Sequence, residues 1–224
     1  WDWQKAERLL QRAIELDPSS PLAHMAYGVY LEKLGRHEES IAEGIRSLEL
    51  DPLSLMYRAT LAEFFYFARQ YDRALEEAQE VLDMDPDYQY ARDVMMSAYE
   101  ELGMCEEYLA LRRERLTGPG AEPEAPAQQA ALEQACADAG FVGIWRWRLE
   151  GRLDSIAAGE YVRPSALARD YARLGRLDEA FEWLERAYEE RDGSLAFCRT
   201  SPTFDRFRSD PRFQDLLRRM NFPE

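Results

Sequence analysis

Apolar side chains recur along this chain at the three- and four-residue steps of a helix, in two alternating stripes. Tyr27, Leu31 and Leu34 form one stripe, with Gly28 beside it, and predict a helix facing a core. Gly35 ends that helix, since glycine takes the left-handed conformation of a C-terminal cap without a Cβ clash. Ile41, Ile45 and Leu48 form the second stripe, and Pro52 closes it because proline has no N–H for a continuing helix. The pattern predicts two antiparallel helices and a turn. Gly28, Ser40, Ala62 and Ala74 are small where helices must approach closely. One helix pair cannot bury both of its faces, so neighbouring pairs must stack.

The pattern repeats. Asp-Pro stands at Asp17-Pro18, Asp51-Pro52 and Asp85-Pro86, so the prolines step by 34 residues each time. Other positions keep the same step: Ala6, Ser40 and Ala74; Leu10, Gly44 and Ala78; Ala13, Ser47 and Val81; Leu16, Leu50 and Met84. A further set runs Tyr27, Leu61 and Met95; Leu31, Phe65 and Tyr99; Gly35, Arg69 and Gly103. So many positions on one period define a repeat array. The register places Trp1 in the turn of a first unit of which only the second helix, Lys5 to Leu16, is present. A chain that starts in mid-unit implies a longer parent protein.

With this period, its alternation of small and large residues and its terminal proline, the chain resembles a tetratricopeptide repeat (TPR) array. The resemblance implies an all-α, right-handed superhelical solenoid of antiparallel helix pairs with a C-terminal capping helix. It covers residues 1–116: the cut first repeat and three more, the last departing at Tyr108, Arg112 and Arg115. Residues 117–127, Thr-Gly-Pro-Gly-Ala-Glu-Pro-Glu-Ala-Pro-Ala, read as a loop. Residues 128–224 read as degenerate TPR-like hairpins plus capping helices. One hairpin has Leu132, Cys136 and Ala139, then Trp145, Leu149 and Leu153; the next has Leu167, Ala168, Tyr171, Leu174 and Gly175, then Ala180, Leu184 and Ala187. Phe204, Phe207, Phe213, Leu216 and Leu217 would cover the last apolar face. Tyr161-Val162-Arg163-Pro164, the Leu174 to Leu184 run and the Asp205 to Phe213 run resemble the C-terminal TPR region of bacterial winged-helix transcriptional regulators and TPR-containing protein Ser/Thr kinases. That resemblance implies a regulatory, partner-sensing segment.

Charge narrows the partners. The 28 Lys+Arg stand against 43 Asp+Glu, a formal net charge of −15, which repels nucleic-acid backbones and anionic lipid. The longest stretch without Asp, Glu, Lys or Arg is Pro18 to Leu31, too short and proline-broken for a membrane span. No signal peptide is visible at Trp1-Asp2-Trp3, and the chain is expected to be cytoplasmic. Cys105, Cys136 and Cys198, odd in number and without metal-ligand spacing, argue against a disulfide framework, and Cys136 reads as a small core residue.

Catalytic chemistry finds no support. His24 and His37 lie on different helices, with His24 at a helix start where it could face a groove. The glycines stand singly rather than in a phosphate loop. Pairs such as Glu38/Glu39, Glu76/Glu77 and Glu106/Glu107 fall at helix starts, where negative charge suits the dipole. Trp145 and Trp147 bracket Arg146 and Arg148, and packing explains them better than base stacking in so acidic a chain. The reading is a non-enzymatic module with no metal and no cofactor.

The face of each first helix turned from its core stripe would line a concave groove. Helical arithmetic puts Met25, Val29, Glu32, Ala59, Glu63, Tyr66, Asp93, Ser97 and Glu100 there, apolar at one end and acidic at the other. In TPRs that hold chaperone tails, Lys, Arg and Asn grip a terminal carboxylate; the matching places here are Met25, Val29, Ala59 and Glu63. That clamp is absent, so the expected partner is a protein or peptide with basic or apolar side chains. Two alternatives stand beside it: an oligomerisation element that joins effector domains through the edge near Trp1 and Trp3, and a groove filled by the chain's own C-terminal helix or a second copy.

Overall fold

The computed structural model describes residues 2–116 and 125–223; the expectations for Trp1 and for residues 117–124 lie outside them. All regular structure among the described residues is helical: α1 (Trp3–Leu16), α2 (Pro21–Lys33), α3 (His37–Leu50), α4 (Leu55–Phe67), α5 (Tyr71–Met84), α6 (Gln89–Leu102), α7 (Cys105–Leu116), α8 (Ala125–Ala157), α9 (Pro164–Arg173), α10 (Leu177–Glu189) and α11 (Pro211–Arg219). Two 3₁₀ turns, Gly193–Phe197 and Pro202–Phe207, lie between α10 and α11. The chain divides into two compact units inside α6, upstream of the Pro/Gly-rich stretch. The first holds Ala98 and the described residues before it, with Arg199–Pro202 and the described residues from Asp215 onward. The second holds Tyr99–Cys198 and Thr203–Gln214.

In the first unit the period becomes geometry. The Asp17 carboxylate accepts the Ser19 N–H at 3.1 Å, and Asp85 does the same for Asp87 at 3.1 Å, so these two Asp-Pro steps set Asx turns. Ser20 then caps α2 by accepting the Ala23 N–H at 3.3 Å, and Ser54 caps α4 through Tyr57 at 3.3 Å. Such caps contribute about 1 kcal/mol each. Small residues let the helices touch. A Cβ on Gly28 would stand 2.8 Å from Phe64 Cε2, and one on Gly44 3.0 Å from Phe64 Cδ2. Ser40 Oγ donates to the Gly28 carbonyl at 2.9 Å and Ser47 Oγ to the Pro21 carbonyl at 2.7 Å, pinning α3 to α2. The buried face of α3 is therefore Ser40, Ile41, Gly44 and Ser47, and the expected stripe is corrected at Ile45, which is 39% exposed. Gly44 admits Leu61 and Phe64 where a larger residue would hold them off.

In the second unit α7 packs on α8, and Cys105 and Cys136 are joined as a disulfide with their Cα atoms 6.5 Å apart. This corrects the reading of Cys136 as a core thiol and of the chain as free of disulfides. Spacing along the sequence gave no sign of a pairing between separate helices. Helix α8 begins at Ala125, so the expected loop is shorter at its end: Pro126 sits in the first turn, where its missing N–H costs nothing. The helix reverses at Ala139 and Gly140, the latter at φ +58°, as the glycine stop predicts. Gly143 then passes so near the Ala135 backbone that a Cβ would collide with it. Ala180, Leu184 and Ala187 of α10 are buried. Phe204 and Phe207 are buried too, and Phe207 meets Phe181 edge-on at 6.3 Å.

Candidate functional site

The expected groove residues are divided between the two units, Glu100 in the second and the rest in the first. In the first unit, Met25 is 4% exposed, Ala59 is fully buried and Tyr66 is 9% exposed. Tyr66 was expected to line the groove; its ring packs against Phe67 at 5.2 Å and Tyr71 at 5.8 Å. These two aromatic neighbours take the ring out of water. Val29 and Ser97 are half-buried and Asp93 is exposed, accepting from Gln89 Nε2 at 2.7 Å.

Glu32 is the unexpected member. It is 1% exposed at the C-terminal end of α2, and its Oε1 accepts from the Thr200 hydroxyl at 2.6 Å. Its Oε2 is buried with no hydrogen-bond partner. Burial pushes this carboxyl up to about 8; the Thr200 bond works against that and the neighbouring Glu63 carboxylate adds to it. Glu63 is also raised, by burial, although the Tyr90 hydroxyl donating to its Oε2 at 2.5 Å opposes the shift. The same pair raises the Tyr90 phenol, burial being the larger cause and the Glu63 charge the next.

Thr200 is held from a second side. Arg69 Nη1 donates to the Thr200 carbonyl at 2.8 Å, and Arg69 also reaches the carbonyl of Phe67. The C-terminal segment goes on to the first helix. Trp3 Nε1 donates to the Met220 carbonyl at 2.9 Å, and the Trp3 ring stacks on Phe222 with centroids 4.6 Å apart. Arg199 lies over Phe222 at 5.6 Å and donates to the Pro223 carbonyl at 2.7 Å. Trp3 is therefore 7% exposed. The edge that α1 was expected to offer for association is covered there by the chain's own tail.

Glu100 belongs to the second unit and is not an open acidic wall residue. Trp145 Nε1 donates to it at 2.7 Å, and Arg148 and Arg173 flank it at 3.4 and 3.2 Å. Burial alone would raise its carboxyl; the two guanidiniums outweigh burial and hold it below the ordinary range. The adjoining Asp170, 1% exposed, accepts from Arg148 at 2.9 Å and from Arg152. Burial, with the Arg148 and Arg169 charges, lowers Arg152 to about 10. Sequence reading passed over this network because its partners are remote, Arg152 and Asp170 lying 18 residues apart and Arg148 and Glu100 48. One signal was present: Arg148 and Arg152 stand one helical turn apart on the same face. His24 is likewise corrected, since its ring lies between the Glu43 carboxylate at 2.6 Å and the Pro18 carbonyl at 3.0 Å rather than in a groove.

Stacked helix pairs of this kind, with small residues at the crossings and a glycine or its stand-in at each turn, define a helical-repeat scaffold. Residues 2–54 match the tetratricopeptide repeat family model. Over 97 residues the chain is 28% identical to Hsp70-Hsp90 organizing protein 2 of Arabidopsis thaliana; that match covers 43% of this chain and 17% of the plant protein. Among solved structures it is similar to a thermophilic TPR protein of Thermus thermophilus, with a TM-score of 0.55 and 20% identity, over 83% of this chain and 99% of that one. It is also similar to pilF of Pseudomonas aeruginosa, with a TM-score of 0.53 and 18% identity, over 88% of each chain. At such identities the two structures speak for the fold alone. The chain spans about a sixth of the length of its curated relative.

Proposed function

We propose that this chain is a non-catalytic protein-interaction scaffold, a segment of a larger bacterial regulatory protein that works in the cytoplasm and takes a protein or peptide partner along the inner wall of its helix pairs. The observation that carries the reading is that two residues of the first unit, Arg69 and Glu32, already hold a piece of polypeptide outside any helix. Arg69 takes its backbone carbonyl and Glu32 its side-chain hydroxyl, at Thr200. A surface that grips main chain and side chain together is built to read a peptide. The plant relative, named as an organizing protein for Hsp70 and Hsp90, supports this. The resemblance of the 161–213 region to regulator and kinase C-termini supports a place in transcription control or signalling. Partner chemistry follows from charge: with Asp93 exposed and a chain of net charge −15, basic and apolar side chains fit best.

Fluorescence anisotropy with labelled peptides tests the reading. Basic–apolar peptides should bind the 224-residue chain, and Asp93→Lys should weaken them several-fold while acidic peptides stay unbound. Binding of acidic peptides in preference, or of none, would remove this function.

A further inference from the structure

Arg69 occupies a place that its register-mates give to glycine. Gly35, Gly103 and Gly175 end their helices at φ +75°, +74° and +72°, and Arg69 does so at +64°. A residue with a Cβ is strained in that region by about 1 kcal/mol. Its side chain offsets the strain by clamping the Thr200 carbonyl at 2.8 Å. Thr200 in turn sits on the buried Glu32, and its methyl faces Gly35. The next residue back, Arg199, ties the segment to Pro223 and to Phe222, whose ring stacks on Trp3. Residues 199–202 thus form a strap fastened at Arg199 and at Thr200. Its fit is incomplete, because one hydroxyl satisfies one oxygen of Glu32 and leaves Oε2 buried without a partner.

We propose that residues 199–202 are a built-in occupant of the first unit's inner wall, and that the partner displaces them by bringing a lysine, arginine or amide side chain that serves both oxygens of Glu32. The proposal deepens the scaffold reading and rests on it. A cationic or amide head supplies two or more donors where threonine has one. A cationic head also draws the Glu32 carboxyl into its ionised form, where the contact becomes charge-assisted and stronger than a neutral one. The chain is therefore self-masked, and its apparent affinity is lowered by the small fraction of molecules whose strap is open.

The test uses the whole chain and two synthetic peptides of sequence 197–203, one with Thr200→Lys and one with Thr200→Met. In the chain itself, Arg199→Ala/Thr200→Gly loosens the strap without touching the wall. The lysine peptide should bind this variant at least ten-fold more tightly than it binds the wild type, and adding Glu32→Gln should abolish the gain. The methionine peptide should show no gain. Arg69→Gly, which restores the residue the turn prefers, should speed hydrogen exchange at 199–202 with no loss of helicity. Equal affinity for wild type and loosened chain would overturn self-masking. Equal affinity of the two peptides would overturn the role of Glu32, and unchanged exchange in Arg69→Gly would overturn the clamp. Each of these failures leaves the Asp93-dependent binding of basic–apolar peptides standing, so the scaffold reading fails or survives separately.

Discussion

The indole N–H of Trp3 donates to the carbonyl of Met220 at 2.9 Å, joining the first helix to the end of the last one across 217 residues of sequence. The bond and the Phe222 ring together tie α1 into the first unit. Trp3→Ala should cost about 3 kcal/mol, the usual scale for a buried aromatic truncated in place, and Trp3→Phe distinctly less. Urea denaturation followed by circular dichroism measures both. A loss below about 1 kcal/mol would mean that the tail does not hold α1.

Glu32 sets a pH dependence whose sign follows from its burial. Its carboxyl lies at about 8 in the folded chain against 4.5 in the open one, so between those values the folded state keeps a proton that the unfolded state gives up. The contribution is fully present below the unfolded value and is lost as pH rises through about 8. Glu32→Gln should match the wild type at pH 5 and exceed its stability by roughly 2 kcal/mol at pH 9. Parallel stability curves for the two chains across that range would show that Glu32 ionises as it does in water.

Asp170 serves two arginines at once, Arg148 and Arg152, from a position 1% exposed. Asp170→Asn leaves both guanidiniums in the second unit without their shared charge and should cost about 3 kcal/mol. Arg46→Ala, which breaks an exposed pair with Glu49 on one helix, should leave the unfolding midpoint unchanged within error. Equal effects would place the Asp170 network on the surface in energetic terms.

Two glycines should respond in opposite directions to the same change. A Cβ on Gly28 meets Phe64 at 2.8 Å and the Ser40 carbonyl at 3.2 Å, whereas one on Gly151 meets nothing within 4 Å. Gly28→Ala should lower stability by about 1 kcal/mol, overpacking outweighing the gain in helix propensity. Gly151→Ala should raise it by up to about 1 kcal/mol. Thermal melts of both chains decide it, and a stabilised Gly28→Ala would mean that α2 and α4 do not pack closely there.

The fold was legible because it is local. The positions Ser40, Gly44 and Ser47, the turn glycines and the Asp-Pro steps each fix a neighbour within a few residues or one repeat, and the period shows them all at once. The site was less legible because its partners are remote. Nothing in the run around Thr200 marks it as the companion of Glu32, 168 residues away. Helical arithmetic turned Tyr66 and Met25 away from their core stripe and toward a groove, but it could not show that both are buried. Arg69 was the available clue. A cationic residue in a glycine register position asks what its side chain does there. Cys105 and Cys136, 31 residues apart on separate helices, offered no comparable signal.

The stapling of Trp3 to Met220 and Phe222 also bears on how the protein is made. At about 5–20 residues per second of synthesis, the intervening 217 residues separate the two partners by about 10–40 s. Throughout that interval a nascent chain carries an indole with its seat missing, so the opening helix can be sealed only after the ribosome has read almost to residue 222.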